Sequence, residues 1–140
     1  MNAVKKLITT VTIETEIDPL WVPYLTQNTD IFGYNYCGYW MMGMERTQDR
    51  GWLCFEHDDG AIYRSARDVA ERHPEYEAIL KAWREGKPLP DKWFRLDKAA
   101  AIKAWHEGVK RWGVEWYEGV DSIREDVVVQ LALLGEIRYG

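Results

Sequence analysis

The second half of the sequence is divided into segments by residues that start and end helices. Ser65 and Asp97 are typical N-caps, whose side chains accept hydrogen bonds from free backbone amides. Residues 122–125 have the sequence SIRE, which is the spacing of a capping box. Gly135 closes the last segment, as glycine often does at a helix C-terminus. These signals predict three or four helices in this half of the chain.

Apolar residues recur within these segments at the spacing of one helix face. The predicted faces are Tyr76, Ile79, Leu80 and Trp83; Ile102, Trp105, Val109 and Trp112; and Ile123, Val127, Leu131 and Leu134. Each face would bury its side chains, while the charged residues between them stay in solvent. We therefore expect amphipathic helices that pack on another layer.

The beginning of the sequence shows the two-residue alternation of a β-strand. In residues 5–17, apolar and threonine side chains alternate with charged and polar ones, which predicts a strand with one face on the core. Asp18 followed by Pro19 predicts the start of a short helix at about residues 19–28, since proline is favoured in a first helical turn.

Two further strand regions follow in the first half. Residues 34–45 are rich in aromatic side chains, and their glycines indicate a possible bulge in the predicted strand. Residues 51–64 predict a hairpin, because Asp59 and Gly60 are a typical tight-turn pair. The arms of this hairpin are residues 52–55 and 61–63.

Strands that cluster early and helices that cluster late are typical of an α+β fold. We expect a small antiparallel sheet, with elements in the order β-α-β-β-β, followed by three or four helices packed on one face. The chain of 140 residues is short for two domains, so residues 1–140 are expected to form a single domain.

Composition argues against several classes of protein. A net charge of −5 does not suit a protein that coats duplex DNA. Cys37 and Cys54 are too few for a disulfide framework, and we expect both to be reduced. The sequence has no apolar stretch of the length that spans a bilayer, and threonine and glutamate residues interrupt any signal peptide. We therefore expect a cytoplasmic protein without a membrane partner.

The common catalytic motifs are missing from the sequence, which has no nucleophile elbow, P-loop or dinucleotide fingerprint. Residues 56–59 are the densest run of possible metal ligands, but the predicted turn accounts for its two aspartates. We predict no catalytic residue, no metal and no cofactor. The alternative is a small metal-dependent hydrolase or nuclease that uses carboxylates, since 23 acidic residues allow many pairs.

Positive charge is concentrated in residues 81–111, which contain nine lysines and arginines against four acidic residues. Trp83, Trp93 and Trp105 are interleaved with these cations and Trp112 follows them directly, an arrangement that suits stacked bases or phosphates. The predicted helix faces account for three of these tryptophans. Trp93 instead lies in residues 87–94, a predicted loop with two prolines. Trp93 and Arg95 are therefore candidate ligand- or partner-binding residues.

The segment 34–45 would be apolar on both faces if it formed a strand. Such a strand is either sandwiched between two layers or exposes one face to a partner, and the sequence leaves both open. Its candidate binding residues are Tyr36, Tyr39 and Trp40. Arg46 and Arg50 follow directly and could contact an anion. A second copy of the chain is one possible partner for this segment.

The end of the chain, residues 126–140, carries the pattern QLALxGEIxYG. Together with residues 11–16 and the pair Tyr39 and Trp40, this pattern resembles a group of small proteins encoded by tailed bacteriophages. The resemblance implies a phage origin and a setting in the host cytoplasm. It assigns no catalytic residue.

The expected function is that of a non-enzymatic phage accessory or counter-defence protein that binds its target stoichiometrically. The partner would be a host protein or a small nucleotide-like ligand. Aromatic side chains would supply contact area, and nearby arginine and lysine side chains would select an anion.

Overall fold

The computed structural model describes residues 16–33, 36–57 and 63–140. Its helices are α1 (Trp21–Gln27), α2 (Ala66–Arg72), α3 (Tyr76–Arg84), α4 (Lys98–Trp112) and α5 (Ser122–Leu134). Its strands are β1 (Met41–Thr47), β2 (Gly51–Glu56) and β3 (Trp93–Leu96). Short 3-10 helices cover Thr29–Phe32 and Trp116–Gly119. The strand predicted at 5–17 lies almost entirely outside the described residues.

The three strands form one antiparallel sheet in the order β1-β2-β3, which confirms the α+β class. The predicted bulge is present, because the pairing of β1 with β2 shifts between Gly43 and Glu45. A side chain at Gly43 would collide with the rings of Phe32 and Trp52, which pack edge to face at 4.7 Å. Glycine at this position therefore lets two aromatic rings cover the strand.

The strand β3 was not predicted from the sequence. β3 overlaps the predicted loop at 87–94, whereas Tyr63, the last residue of the predicted hairpin arm, lies outside any strand. In the described part of the chain, β2 pairs with β1 along one edge and with β3 along the other. The predicted turn at Asp59 and Gly60 lies outside the described residues.

The strand predicted at 34–45 is also shorter than expected, since β1 begins at Met41 and the residues just before it form turns. Backbone bonds inside this segment, including those from the amides of Trp40 and Met41 to the Cys37 carbonyl, hold the turns. A side chain at Gly38 would lie 2.1 Å from the Phe32 carbonyl oxygen. This close approach of two backbones bends the segment away from a strand.

The helix boundaries follow the predicted signals closely. The Ser65 and Asp97 side chains accept hydrogen bonds from the amides of Asp68 (3.2 Å) and Ala100 (2.9 Å). The cap of α5 is Asp121 rather than Ser122, because the Asp121 carboxylate accepts from the Arg124 amide at 2.9 Å. The predicted short helix is confirmed as α1, although it begins only at Trp21.

The buried faces of α4 and α5 differ from the predicted ones. The buried residues of α4 are Ala101, Ala104, Trp105 and Gly108, and those of α5 are Glu125, Val128, Val129, Gln130 and Ala132. The residues of α4 that face the core are mostly small, because the large aromatic rings packed against this helix need the space. A side chain at Gly108 would lie 2.4 Å from the Trp116 indole. Ile123, which was predicted to be buried, is exposed.

The helices divide between the two faces of the sheet instead of covering one face. Successive residues of β2 point to opposite sides, and Cys54 joins a core that includes residues of α1, α4 and α5. Leu53 and Phe55 join a second core with residues of α2 and α3. None of the helices in the described ranges has the length and apolarity needed to cross a membrane.

Candidate functional site

The predicted binding residues are distributed over several parts of the fold. Trp40 is buried, and its indole lies parallel to the Tyr139 ring with 5.6 Å between centroids. Its Nε1 donates a hydrogen bond to Asp126 at 2.8 Å. Trp93 is also buried, against Phe55 and Tyr76. Both tryptophans therefore belong to the interior.

The three predicted arginines do not converge on one site. Arg46 donates to the Gln27 carbonyl and lies over the Trp52 ring, and Arg50 donates to the Arg84 carbonyl at 3.1 Å. Arg95 donates to the carbonyls of Ala82 and Lys87. All three guanidinium groups are thus engaged by backbone carbonyls, Arg46 at the end of α1, and Arg50 and Arg95 near the C-terminal end of α3.

Trp93 and Arg95 line a groove of about 730 Å³ beside the edge strand β3. Glu56 and Arg138 also line this groove, and they form an ion pair of 2.7 Å with the Glu56 carboxylate buried. The Arg95 guanidinium is engaged by carbonyls. Glu56, Arg138 and Arg95 are therefore engaged with partners inside the protein.

Tyr36 and Tyr39 line a different groove, of about 770 Å³, which we call the aromatic groove. It runs between the turn at 36–40, the first half of α5 and the C-terminal residues 137–140. Five large apolar side chains are exposed in the described part of the chain, and three of them line this groove. They are Tyr39 (40% exposed), Ile123 (71%) and Ile137 (44%).

Asp126 organises one side of the aromatic groove. Its carboxylate accepts hydrogen bonds from the Tyr39 hydroxyl, from Trp40 Nε1 and from Gln130 Nε2 at 3.1 Å. Burial raises the pKa of the Tyr39 hydroxyl well above its usual value, and the bond to Asp126 raises it further. Tyr39 therefore stays protonated and keeps its ring fixed at the surface.

The C-terminal residues form the opposite wall of the aromatic groove. Gln130 is fully buried, and its Oε1 accepts from the amides of Arg138 and Tyr139, both at 2.8 Å. Its Nε2 donates to the Tyr139 carbonyl at 3.1 Å. Arg138 and the Tyr139 hydroxyl then meet at the buried Glu56 carboxylate. These contacts tie the C-terminal residues to α5 and β2.

The predictions did not include Gln130, Asp126 or Glu56 as parts of a site. A signal for Gln130 was present, because the QLALxGEIxYG pattern contains both Gln130 and Tyr139. The structure gives this pattern a physical role, since the glutamine side chain binds the backbone that follows the helix. Asp126 looks like an ordinary surface acid in the sequence, and Glu56 was noticed only as a possible metal ligand in the run 56–59.

The possible metal ligands at 56–59 are used in other ways where they are described. Glu56 pairs with Arg138, and His57 Nε2 lies 3.1 Å from the Gly38 carbonyl oxygen. Asp58 and Asp59 lie outside the described residues. Within residues 16–33, 36–57 and 63–140, no group of three or more His, Cys, Asp and Glu side chains is arranged to hold a metal ion.

Both cysteines are free and buried. Burial raises the pKa of the Cys37 and Cys54 thiols far above the ordinary value, so neither is a ready nucleophile.

Comparison of the chain with known proteins gives no match to a protein-family model, to a curated protein or to a solved structure.

Proposed function

We propose that this chain is a non-enzymatic phage accessory or counter-defence protein that binds a host protein stoichiometrically in the host cytoplasm. The phage setting rests on the resemblance of its C-terminal sequence. The binding role rests on one observation, the convergence of Tyr39, Ile123 and Ile137 on a single groove. Exposed apolar side chains gathered in one place are typical of protein-binding surfaces.

The aromatic groove is suited to binding because its walls are already ordered. The Tyr39 hydroxyl is held by Asp126, and the Tyr139 backbone is held by Gln130. A surface that is fixed before association loses less conformational entropy when a partner binds. Tyrosine also gives a large contact area for few rotatable bonds, which makes it common among residues that dominate binding energy.

The charges in the aromatic groove favour a protein partner over a nucleotide-like ligand. Arg111 is the one cationic side chain that lines the groove in the described part of the chain. The Asp126 carboxylate also lines the aromatic groove, from α5, and would repel a phosphate group. The other predicted anion contacts, Arg46 and Arg50, lie outside this groove.

The test compares Ile123→Arg with Leu20→Arg. These residues are exposed to nearly the same extent, 71% and 70%, but Leu20 does not line the aromatic groove. Partners captured from host-cell lysate are identified by mass spectrometry, and the purified partner is then titrated calorimetrically. We expect Ile123→Arg to weaken binding by about tenfold or more, with one partner bound per chain. Leu20→Arg should bind like the wild type.

Three results would count against the proposal. Equal binding by both variants would move the site away from the aromatic groove. Self-association of the purified protein that Ile123→Arg abolishes would assign the groove to a second copy of the chain. Hydrolysis of a phosphodiester or other substrate in the presence of Mg²⁺, with more than one product molecule formed per protein chain, would support the alternative of a carboxylate hydrolase or nuclease.

A further inference from the structure

A second, smaller cavity of about 190 Å³ lies next to the aromatic groove, and Tyr36 and Ser122 line both. We call it the tyrosine cage. Its walls carry four aromatic rings and a buried carboxyl group, namely Trp21, Tyr24, Tyr36, Tyr117 and Glu125. Its volume is about six times the roughly 30 Å³ that one water molecule occupies in the liquid. A compact ligand group of a few heavy atoms would fit.

The rings of the tyrosine cage come from separate elements and meet at different angles. Trp21, at the start of α1, is fully buried. The Tyr117 ring, from the 3-10 helix Trp116–Gly119, lies 5.7 Å from the Trp21 ring at an angle of 80°. The Tyr24 ring lies 6.3 Å from the Trp21 ring at 34°. The rings that line the cage therefore have different orientations.

Glu125 places a carboxyl group in this aromatic cavity, and the group is negatively charged above its pKa of about 7. Both of its carboxyl oxygens accept from the Tyr24 hydroxyl, at 3.0 and 2.9 Å. Among the described residues, Tyr24 is the donor that reaches this carboxyl group, although a carboxylate can accept about four hydrogen bonds. The Glu125 side chain is buried, so the shortage of donors is not made up by exposure to bulk water.

The surroundings of the tyrosine cage are anionic. The negative charges of Asp126 and Asp30 contribute to raising the pKa of Glu125, and that of Asp18 contributes to raising the pKa of the Tyr117 hydroxyl. Asp121 lies at the exposed rim. No lysine or arginine of the described ranges lines the cavity.

Arg124, the cationic residue next to Glu125 in the sequence, makes its contacts away from the tyrosine cage. The Arg124 guanidinium donates to the Trp116 carbonyl at 3.0 Å and lies over the Trp112 ring at 4.9 Å. Trp112 and Trp116 do not line the tyrosine cage.

We infer that the tyrosine cage is a binding site for an organic cation, an alkylammonium or guanidinium group. The faces of tyrosine rings attract cations, and Tyr24, Tyr36 and Tyr117 are the partly exposed rings of the cage. A buried carboxylate with few hydrogen bonds gains most from a positive partner. The group could belong to a free small molecule or to a lysine or arginine side chain of another protein. This inference does not depend on the role proposed for the aromatic groove.

The experiment compares choline with 3,3-dimethylbutan-1-ol, its neutral carbon analogue of nearly the same shape. Saturation-transfer NMR on the purified wild-type protein reports binding of each compound through its methyl protons. We expect choline to bind about tenfold or more tightly than the neutral analogue, because only choline carries the charge. A second arm replaces choline with Nα-acetyl-trimethyllysine amide. Tighter binding of choline would indicate a free small molecule as the natural ligand, and tighter binding of the lysine derivative would indicate a side chain of another protein.

Glu125→Gln removes the charge but keeps the size of the side chain. It should weaken choline binding by about tenfold and leave binding of the neutral analogue unchanged. Glu71→Gln changes the net charge equally at an exposed site on α2 and should bind choline like the wild type. Circular dichroism checks that both variants are folded.

Equal affinity for choline and its neutral analogue would overturn the inference and leave an apolar cavity. Failure of both cations to bind would overturn it as well. Because the experiment uses the purified protein alone, its failure is separate from failure of the host-protein test at Ile123.

Discussion

Glu125 makes a prediction about how the stability of the protein depends on pH. Burial raises the pKa of its carboxyl group from 4.5 to about 7, with smaller contributions from Asp126 and Asp30, while the hydrogen bond from Tyr24 lowers it. The folded state therefore holds this proton more tightly than the unfolded state. The stabilisation from protonated Glu125 is complete below pH 4.5 and is lost as the pH rises through about 7.

The size of this effect follows from the two pKa values. The difference between 4.5 and about 7 corresponds to about 3 kcal/mol of unfolding free energy once Glu125 is fully ionised. In Glu125→Gln the amide cannot ionise, and its oxygen can still accept from the Tyr24 hydroxyl. We therefore expect the unfolding free energy of the variant, relative to that of the wild type, to rise by about 3 kcal/mol as the pH is raised from acidic to alkaline.

Urea unfolding at a series of pH values, followed by tryptophan fluorescence, measures this difference. Glu71→Gln is the control, since Glu71 is an exposed carboxylate paired with Arg67 on the same helix. Its curve of unfolding free energy against pH should run parallel to that of the wild type. A parallel curve for Glu125→Gln as well would refute the reasoning, because Glu125 would then titrate alike in the folded and unfolded states.

Two further predictions concern packing and the C-terminal residues. Gly108→Ala places a methyl group 2.4 Å from the Trp116 indole and should cost about 1–3 kcal/mol in thermal unfolding; an unchanged melting temperature would contradict the close packing. Gln130→Leu removes the acceptor for the amides of Arg138 and Tyr139, so hydrogen exchange at these amides should become faster. Exchange at the wild-type rate would show that other contacts hold these residues.

Features that depend on local sequence could be predicted well. The caps at Ser65 and Asp97 involve residues three positions apart, so their hydrogen bonds follow from the sequence alone. The bulge in β1 was indicated by its glycine for the same reason. These are interactions whose partners lie within one turn or one strand.

Features that depend on distant partners could not be predicted. Trp93 in β3 pairs with the distant Phe55, whereas the two prolines in residues 87–94 favoured a loop. The face of α4 was misjudged because spacing favours large residues, whereas Trp116 requires the small Gly108 beside it. The exposure of Ile123 was missed for a similar reason, since periodicity does not show which face meets the neighbouring helix.

The candidate site was predicted in part. Tyr36 and Tyr39 line the aromatic groove, although the turn that presents them was predicted to be a strand. Arg46, Arg50 and Arg95 could not be placed, because the orientation of a long side chain depends on carbonyls from other elements. The phage group and the counter-defence role stay predictions.

The described edges of the sheet offer little for another chain to pair with. β1 is interrupted by the shift between Gly43 and Glu45, and β3 is four residues long, between Lys92 with a φ of 75° and the cap Asp97. Irregular or short edges of this kind discourage β-augmentation, in which a peptide extends a sheet through main-chain bonds. A partner recognised by this fold would therefore be selected by its side chains, so its sequence at the contact should matter more than its backbone conformation.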